Sequence, residues 1–136
     1  MPSSIVLDSF ALLAFLKKEP GSAEIVELFG RAANDEVELA ASVVNLAEVW
    51  YQLARTQSEQ VADAKVAELI HLGLQIVDAD WPLARQAAQY KARGGISLAD
   101  CFAAALAKIR DTALVTGDPE FETLKKEIKI QWMERK

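Results

Sequence analysis

Strand-like and helical segments alternate along the whole chain, and this alternation limits the fold more than any other feature. Residues 3–7 (SSIVL) form a short β-rich run that ends at Asp8. From 9 to 18 the apolar residues recur at helical spacing, and Pro20-Gly21 stops that helix. Residues 22–33 read as a second helix with Ile25, Val26, Leu28 and Phe29 inward, and 36–41 as a second strand. Ser42 caps a long helix, VVNLAEVWYQLART. A further helix covers 58–72 and closes at Gly73, followed by a candidate strand at 74–77. Residues 80–93 are helical, with Asp80 as N-cap, Pro82 in the first turn and Gly94-Gly95 at the end. An alanine-rich helix spans 97–110, and 112–115 is a strand. A short helix starts at Asp118-Pro119, and 128–132 is the last strand. Such a pattern predicts an α/β sandwich around a mostly parallel sheet. Ligands of these sheets bind at the carboxyl ends of the strands, which directs the search for chemistry.

The 136 residues suffice for one domain, expected over 1–136, and 51% hydrophobic content supplies a core. No stretch approaches the roughly 20 apolar residues of a membrane span. The N-terminal segment has no basic region, and an acid interrupts its apolar run, so it does not read as a signal peptide. A reduced, cytoplasmic protein is expected. One cysteine, Cys101, excludes an intrachain disulfide, and one histidine, His71, argues against zinc chemistry and a Ser-His-Asp hydrolase. The net charge of −5 is not that of an obvious nucleic-acid binder. Any such role needs local basic residues or a bound cation.

Four acids stand out. Asp8 follows the first strand, and Asp118 follows the ALVT strand after one glycine. Asp100 lies in the first turn of the SLADCFAAALA helix, and Glu48 lies in the middle of the VVNLAEVWYQLA helix. Each has a plain structural reading. Asp8 and Asp118 have the form of helix N-caps, and Ser97 with Asp100 has the form of a capping box. On the Glu48 helix, Val43, Leu46, Trp50 and Leu53 make an apolar face widened by Val44, Val49 and Tyr51. Asn45, Glu48, Gln52 and Arg55 are left as a narrow polar stripe, facing either solvent or a polar pocket. If the four acids converge, they cannot all stay ionised without a partner. Oxygen-only ligands suit Mg²⁺ or Mn²⁺, which would polarise water and balance phosphate charge. That is phosphodiester chemistry.

The segments VLDSFALLAFL, NLAEV, ISLADCFAAALA and LVTGDPEF, in that order, resemble the four signature segments of the PIN-domain nucleases. Within that family the chain is most similar to the short VapC-type toxins of prokaryotic toxin–antitoxin pairs. Residue by residue, Asp8, Glu48, Asp100 and Asp118 match the family's acidic quartet. Thr116 matches its frequent Ser/Thr, Phe121 a packing aromatic, and Asn45 a polar helper. The resemblance implies a five-stranded parallel sheet between helices, one or two Mg²⁺ or Mn²⁺ ions and cleavage of single-stranded RNA. It also implies a homodimer and inhibition by a small antitoxin, whose tail would enter a groove walled by Phe10, Leu13, Trp50 and Tyr51.

Other residues have plainer readings. Cys101 reads as a buried helical thiol, and His71 as a cap or surface residue. Trp50 and Tyr51 read as core, and Lys17-Lys18 and Lys125-Lys126 as solvated helix ends able to contact phosphates. Asp78 could add to an acidic edge. Three rival functions remain to compare. A phospho-acceptor receiver would use Asp78, but it needs an acidic pair after the first strand and leaves Glu48 and Asp100 without a role. An Asp-x-Asp phosphatase needs a second aspartate that Asp8-Ser9-Phe10 lacks. A catalytically idle interaction module differs only in activity.

Overall fold

The structure is a computed structural model that describes residues 3–134; residues 1–2 and 135–136 of the expected domain lie outside them. The elements alternate as β1 (Ser3–Leu7), α1 (Ser9–Lys17), α2 (Ser22–Ala33), β2 (Val37–Ser42), α3 (Val43–Thr56) and α4 (Glu59–His71). They continue as β3 (Gln75–Val77), α5 (Trp81–Arg93), α6 (Leu98–Arg110), β4 (Ala113–Thr116), a 3-10 helix (Pro119–Leu124) and β5 (Ile130–Trp132). All four strand pairings are parallel, in the order β3-β2-β1-β4-β5. No helix among the described residues is long and apolar enough to cross a membrane.

Side-chain alternation divides the sheet into two buried faces. Ile5, Leu7, Leu39, Ala41 and Val115 point to one face, where they pack against α1 to α4. Val6, Ala40 and Leu114 point to the other, against α5, α6 and the 3-10 helix. Burial on both faces is why β1 and β4 carry the consecutive apolar residues Ile5-Val6-Leu7 and Ala113-Leu114-Val115. β1 lies at the centre, and the winding reverses between β1 and β4. Their carboxyl ends therefore open a crevice, the usual ligand position in such sheets.

Local signals set most element ends. Ser42, Ser58, Asp80 and Ser97 each cap a helix through a side-chain oxygen. Several expectations need correction. Helix α1 ends one residue before the expected Lys18, which is its C-cap in the left-handed conformation with φ 57°, so the stop is set at Lys18 and not at Pro20-Gly21. Gly21 has a different task. Its φ is 90°, and a Cβ there would stand 2.8 Å from the Glu134 carbonyl oxygen, so only glycine lets the start of α2 approach the chain end. Val26 is exposed rather than inward, because α2 buries only Ile25, Leu28 and Phe29.

The stripe expected on α3 is also displaced. Asn45 is fully buried, while Val43 and Tyr51 are exposed. Helix α3 is covered by α1, α4 and α6 as well as by the sheet, so no single-face rule describes it. Asn45 remains there because its amide nitrogen donates to Ser9 Oγ at 3.0 Å and to the Ala99 carbonyl at 3.1 Å. Leaving such a group without partners would cost about 1–3 kcal/mol.

Candidate metal centre

Three helix starts and two strand ends meet at the crevice. Asp8 leaves β1 and caps α1: its Oδ1 accepts from the Ala11 N–H at 2.8 Å, and its Oδ2 accepts from Thr116 Oγ1 at 2.5 Å. Thr116, the last residue of β4, also accepts the Asp118 N–H at 3.0 Å. This hydroxyl therefore ties the ends of the two central strands together. Asp8 and Thr116 are both fully buried.

Asp100 sits in the first turn of α6, where its N–H donates to Ser97 Oγ at 3.2 Å. Asp118 caps the 3-10 helix, accepting the Glu120 N–H at 2.9 Å. Glu120 in turn accepts the Ser97 N–H at 2.9 Å and links the 3-10 helix to the start of α6. Carboxylate oxygens of Asp100, Asp118 and Glu120 lie within 4.8 Å of one another. Glu48 is half-buried on α3, and its Oε2 accepts from Gln52 Nε2 at 3.3 Å. Glu48, Asp100, Asp118 and Glu120 all face one open cleft of about 360 Å³.

The cap readings and the site readings of these acids are thus compatible. Asp8 and Asp118 do cap helices, and Ser97 is the N-cap of α6 with Asp100 in its first turn. A carboxylate has two oxygens, so capping with one leaves capacity on the other. The structure brings Asp100 and Asp118 together. Asp8 and Glu48 stand outside the 4.8 Å cluster, Asp8 buried behind the crevice and Glu48 on its wall.

Electrostatics makes this crowding costly. Burial, above all, raises the Asp8 pKa from 3.8 to about 7; the bonds from Thr116 and Ala11 oppose the rise, and the Asp118 and Glu48 charges add to it. Asp100 is pushed up to about 9, first by burial and then by its hydrogen bond to Asp118 and the charges of Asp118, Asp8 and Glu120. Without a counterion, burial and the neighbouring carboxylates therefore favour the neutral form of Asp100. The donors are all carboxylate oxygens, a set that suits a hard divalent cation such as Mg²⁺ or Mn²⁺. The only cysteine and histidine are elsewhere: Cys101 is buried in the core with its thiol pushed up to about 11, and His71 is exposed at the end of α4.

Sequence reasoning missed Glu120. The signal was present in Asp118-Pro119-Glu120: an N-cap, then proline, then an acid held in the first turn beside the cap. It also missed the clamp above the site. Ser9 Oγ donates to the Asn45 carbonyl at 3.2 Å, and Asn45 bonds both Ser9 and Ala99. That clamp joins α1, α3 and α6, the helices bearing or adjoining Asp8, Glu48 and Asp100. Of the expected groove wall, Phe10 and Leu13 line the cleft. Trp50 packs into the core and donates Nε1 to Asp63 at 2.9 Å, and Tyr51 lies under Arg55. Gln52 and Glu48 face the cleft from α3 in their place, so that wall is polar.

A five-stranded parallel sheet with an acid-lined crevice at its switch point is the architecture of the PIN domain. The PIN domain family model matches residues 5–127, and the chain belongs to that family. Among solved structures it is similar to VapBC2 from Rickettsia felis bound to a promoter DNA fragment, with TM-score 0.73 and 18% identity over 96% of this chain and 99% of that one. DNA-bound VapBC from Salmonella typhimurium gives TM-score 0.73 and 23% identity over 97% and 98%. VapC20 of Mycobacterium tuberculosis, a sarcin–ricin loop cleaving toxin, gives 0.69 and 18% over 90% and 95%. No curated protein sequence matches the chain.

Proposed function

We propose that this chain, as a single domain, is a divalent-metal ribonuclease that cuts single-stranded RNA. The observation that carries the reading is the cluster of Asp100, Asp118 and Glu120 within 4.8 Å at the switch point, with Asp8 and Glu48 adjoining it. We assign Asp8, Glu48, Asp100 and Asp118, joined by Glu120, to holding Mg²⁺ or Mn²⁺. When bound, the ion activates water and offsets the charge of the scissile phosphate.

The chain's own residues prepare that chemistry. Thr116 orients Asp8 through Oδ2, and the α1 cap holds Oδ1, so the carboxylate is fixed before substrate arrives. Ser97 plays the same part for Glu120. Asp100 must release its proton for the cluster to accept a dication, so loading improves as pH rises. Gln52 restrains Glu48 on the cleft wall.

The physiological setting we infer is that of a toxin in a type II toxin–antitoxin pair, a cytoplasmic homodimer held in check by a small antitoxin. Support comes from the family and from similar structures that are themselves VapBC complexes. The acidic crevice would accept an arginine of the antitoxin, a cation that forms several hydrogen bonds to carboxylates. Phe10 and Leu13 would receive an apolar residue beside it. The test is cleavage of single-stranded RNA by the purified protein with Mn²⁺ and with chelator. Cleavage only with the metal is expected, and none in either condition refutes the nuclease. Growth arrest on expression, relieved by the adjacent reading frame, is the corresponding test of the toxin reading.

A further inference from the structure

A second polar groove lies at the opposite edge of the sheet. It measures about 560 Å³ and is lined by Lys108 at the end of α6, by Asp111 and Thr112 before β4, and by residues 125–130 leading into β5. Four of the chain's nine lysines face it: Lys108, Lys125, Lys126 and Lys129. In a chain of net charge −5 this is a local reversal of sign.

The two acids of the groove offset only part of it: Glu127 is engaged by Arg93, outside the groove, and Asp111, 3.6 Å from Lys129, offsets that one lysine. Lys125 pairs with Glu122 at 3.2 Å. Lys108 and Lys126 have no ion-pair partner among the described residues. The pairs that do exist are exposed and worth at most about 1 kcal/mol each, so an incoming anion can exchange with them. The carbonyl end of α6 accounts for a cation at Lys108 but not for the three lysines contributed by 125–129.

We propose that this groove binds the phosphate backbone of the RNA whose cleavage is assigned to the acidic crevice; the inference rests on that reading. The crevice repels a polyanion until a cation is bound, so an attractive surface elsewhere on the protein is needed to hold the strand. Helix α6 connects the two sites. Asp100 and Lys108 are eight residues apart, about 12 Å along the helix axis, more than one nucleotide of an extended strand can span. A strand engaging both sites therefore extends at least that far past the scissile bond.

The test is fluorescence anisotropy in chelator, where no cleavage is expected, with mixed-sequence single-stranded RNAs of about 16 and about 4 nucleotides. The variants are Lys108→Gln/Lys126→Gln and, as a control of equal charge change on the opposite face, Arg31→Gln/Lys65→Gln. For the longer RNA, the groove variant should bind about tenfold more weakly. Its salt slope should be shallower by about 1.4, as expected for two lost phosphate contacts on a single strand. The control should match wild type, and the short RNA should bind weakly to all three. Equal binding by wild type and groove variant, an equal loss in the control, no binding of the longer RNA by wild type, or tighter binding of duplex DNA overturns the proposal. Cleavage with Mn²⁺, measured on the same samples, separates the two readings. Wild type that cleaves while the groove variant binds normally refutes the groove alone. Wild type that never cleaves refutes the nuclease, and the groove's role in its substrate falls with it.

Discussion

At the carboxyl edge of the sheet, Asp8 and Asp100 are buried and raised far above the ordinary range of a carboxyl group. At the amino edge Lys108, Lys125, Lys126 and Lys129 are exposed, and their ion pairs are long or loose. Both edges gather charge of one sign, and α6 touches both. The difference is solvent. Water screens the lysines, so their crowding costs little and predicts only attraction for anions. The acids have lost that screening, so they carry a standing cost that protons or a cation must offset. Crowded charge is costly where it is desolvated and cheap where it is not.

The largest expected effect tests the desolvated side. Asp100→Asn should lower RNA cleavage on the order of 100-fold or more, the loss typical of removing one preorganised electrostatic group, while circular dichroism stays that of the native fold. Cleavage within a few fold of wild type would place Asp100 among the caps only. Glu120→Gln comes next. It keeps an oxygen to accept from Ser97 but removes the charge, so a loss of about tenfold is expected, less than for Asp100 because Glu120 is exposed and better screened. A loss as great as that for Asp100→Asn would show that exposure does not rank these acids.

Smaller still is the pH dependence of the chelated protein. Both acids have folded pKa values above their unfolded value of 3.8. The stability they contribute is complete below about pH 4 and is lost as pH rises, through about 7 for Asp8 and about 9 for Asp100. Thermal melts in chelator should therefore fall from pH 5 to pH 8, and Asp100→Asn should flatten the decline. A decline equally steep in the variant would assign the pH dependence to other groups.

How far the sequence reveals this difference depends on how local each signal is. The strand ending at Asp8 and the caps at Ser42, Asp80 and Ser97 were legible, because the relevant partner lies within a few residues. Asn45 was misplaced because its surroundings are set by α1 and α6, distant in sequence. The four spaced acids pointed to a shared site, yet spacing did not reveal that Asp8 is buried behind the cleft. Nor did it reveal that Glu120 completes the cluster with Asp100 and Asp118. Those facts depend on how the 3-10 helix meets the start of α6, which is a tertiary contact.

Whether the carboxyl edge holds a divalent cation is decided by the melting temperature at pH 7.5, measured in chelator and in millimolar Mn²⁺ for wild type and Asp100→Asn. Binding to the folded state alone stabilises it by mass action, about 2.7 kcal/mol at a hundredfold excess over Kd. Wild type should gain several degrees with Mn²⁺, and Asp100→Asn should melt higher than wild type in chelator and gain much less from the metal. No gain for wild type, or the same gain for both proteins, would contradict a cation site there.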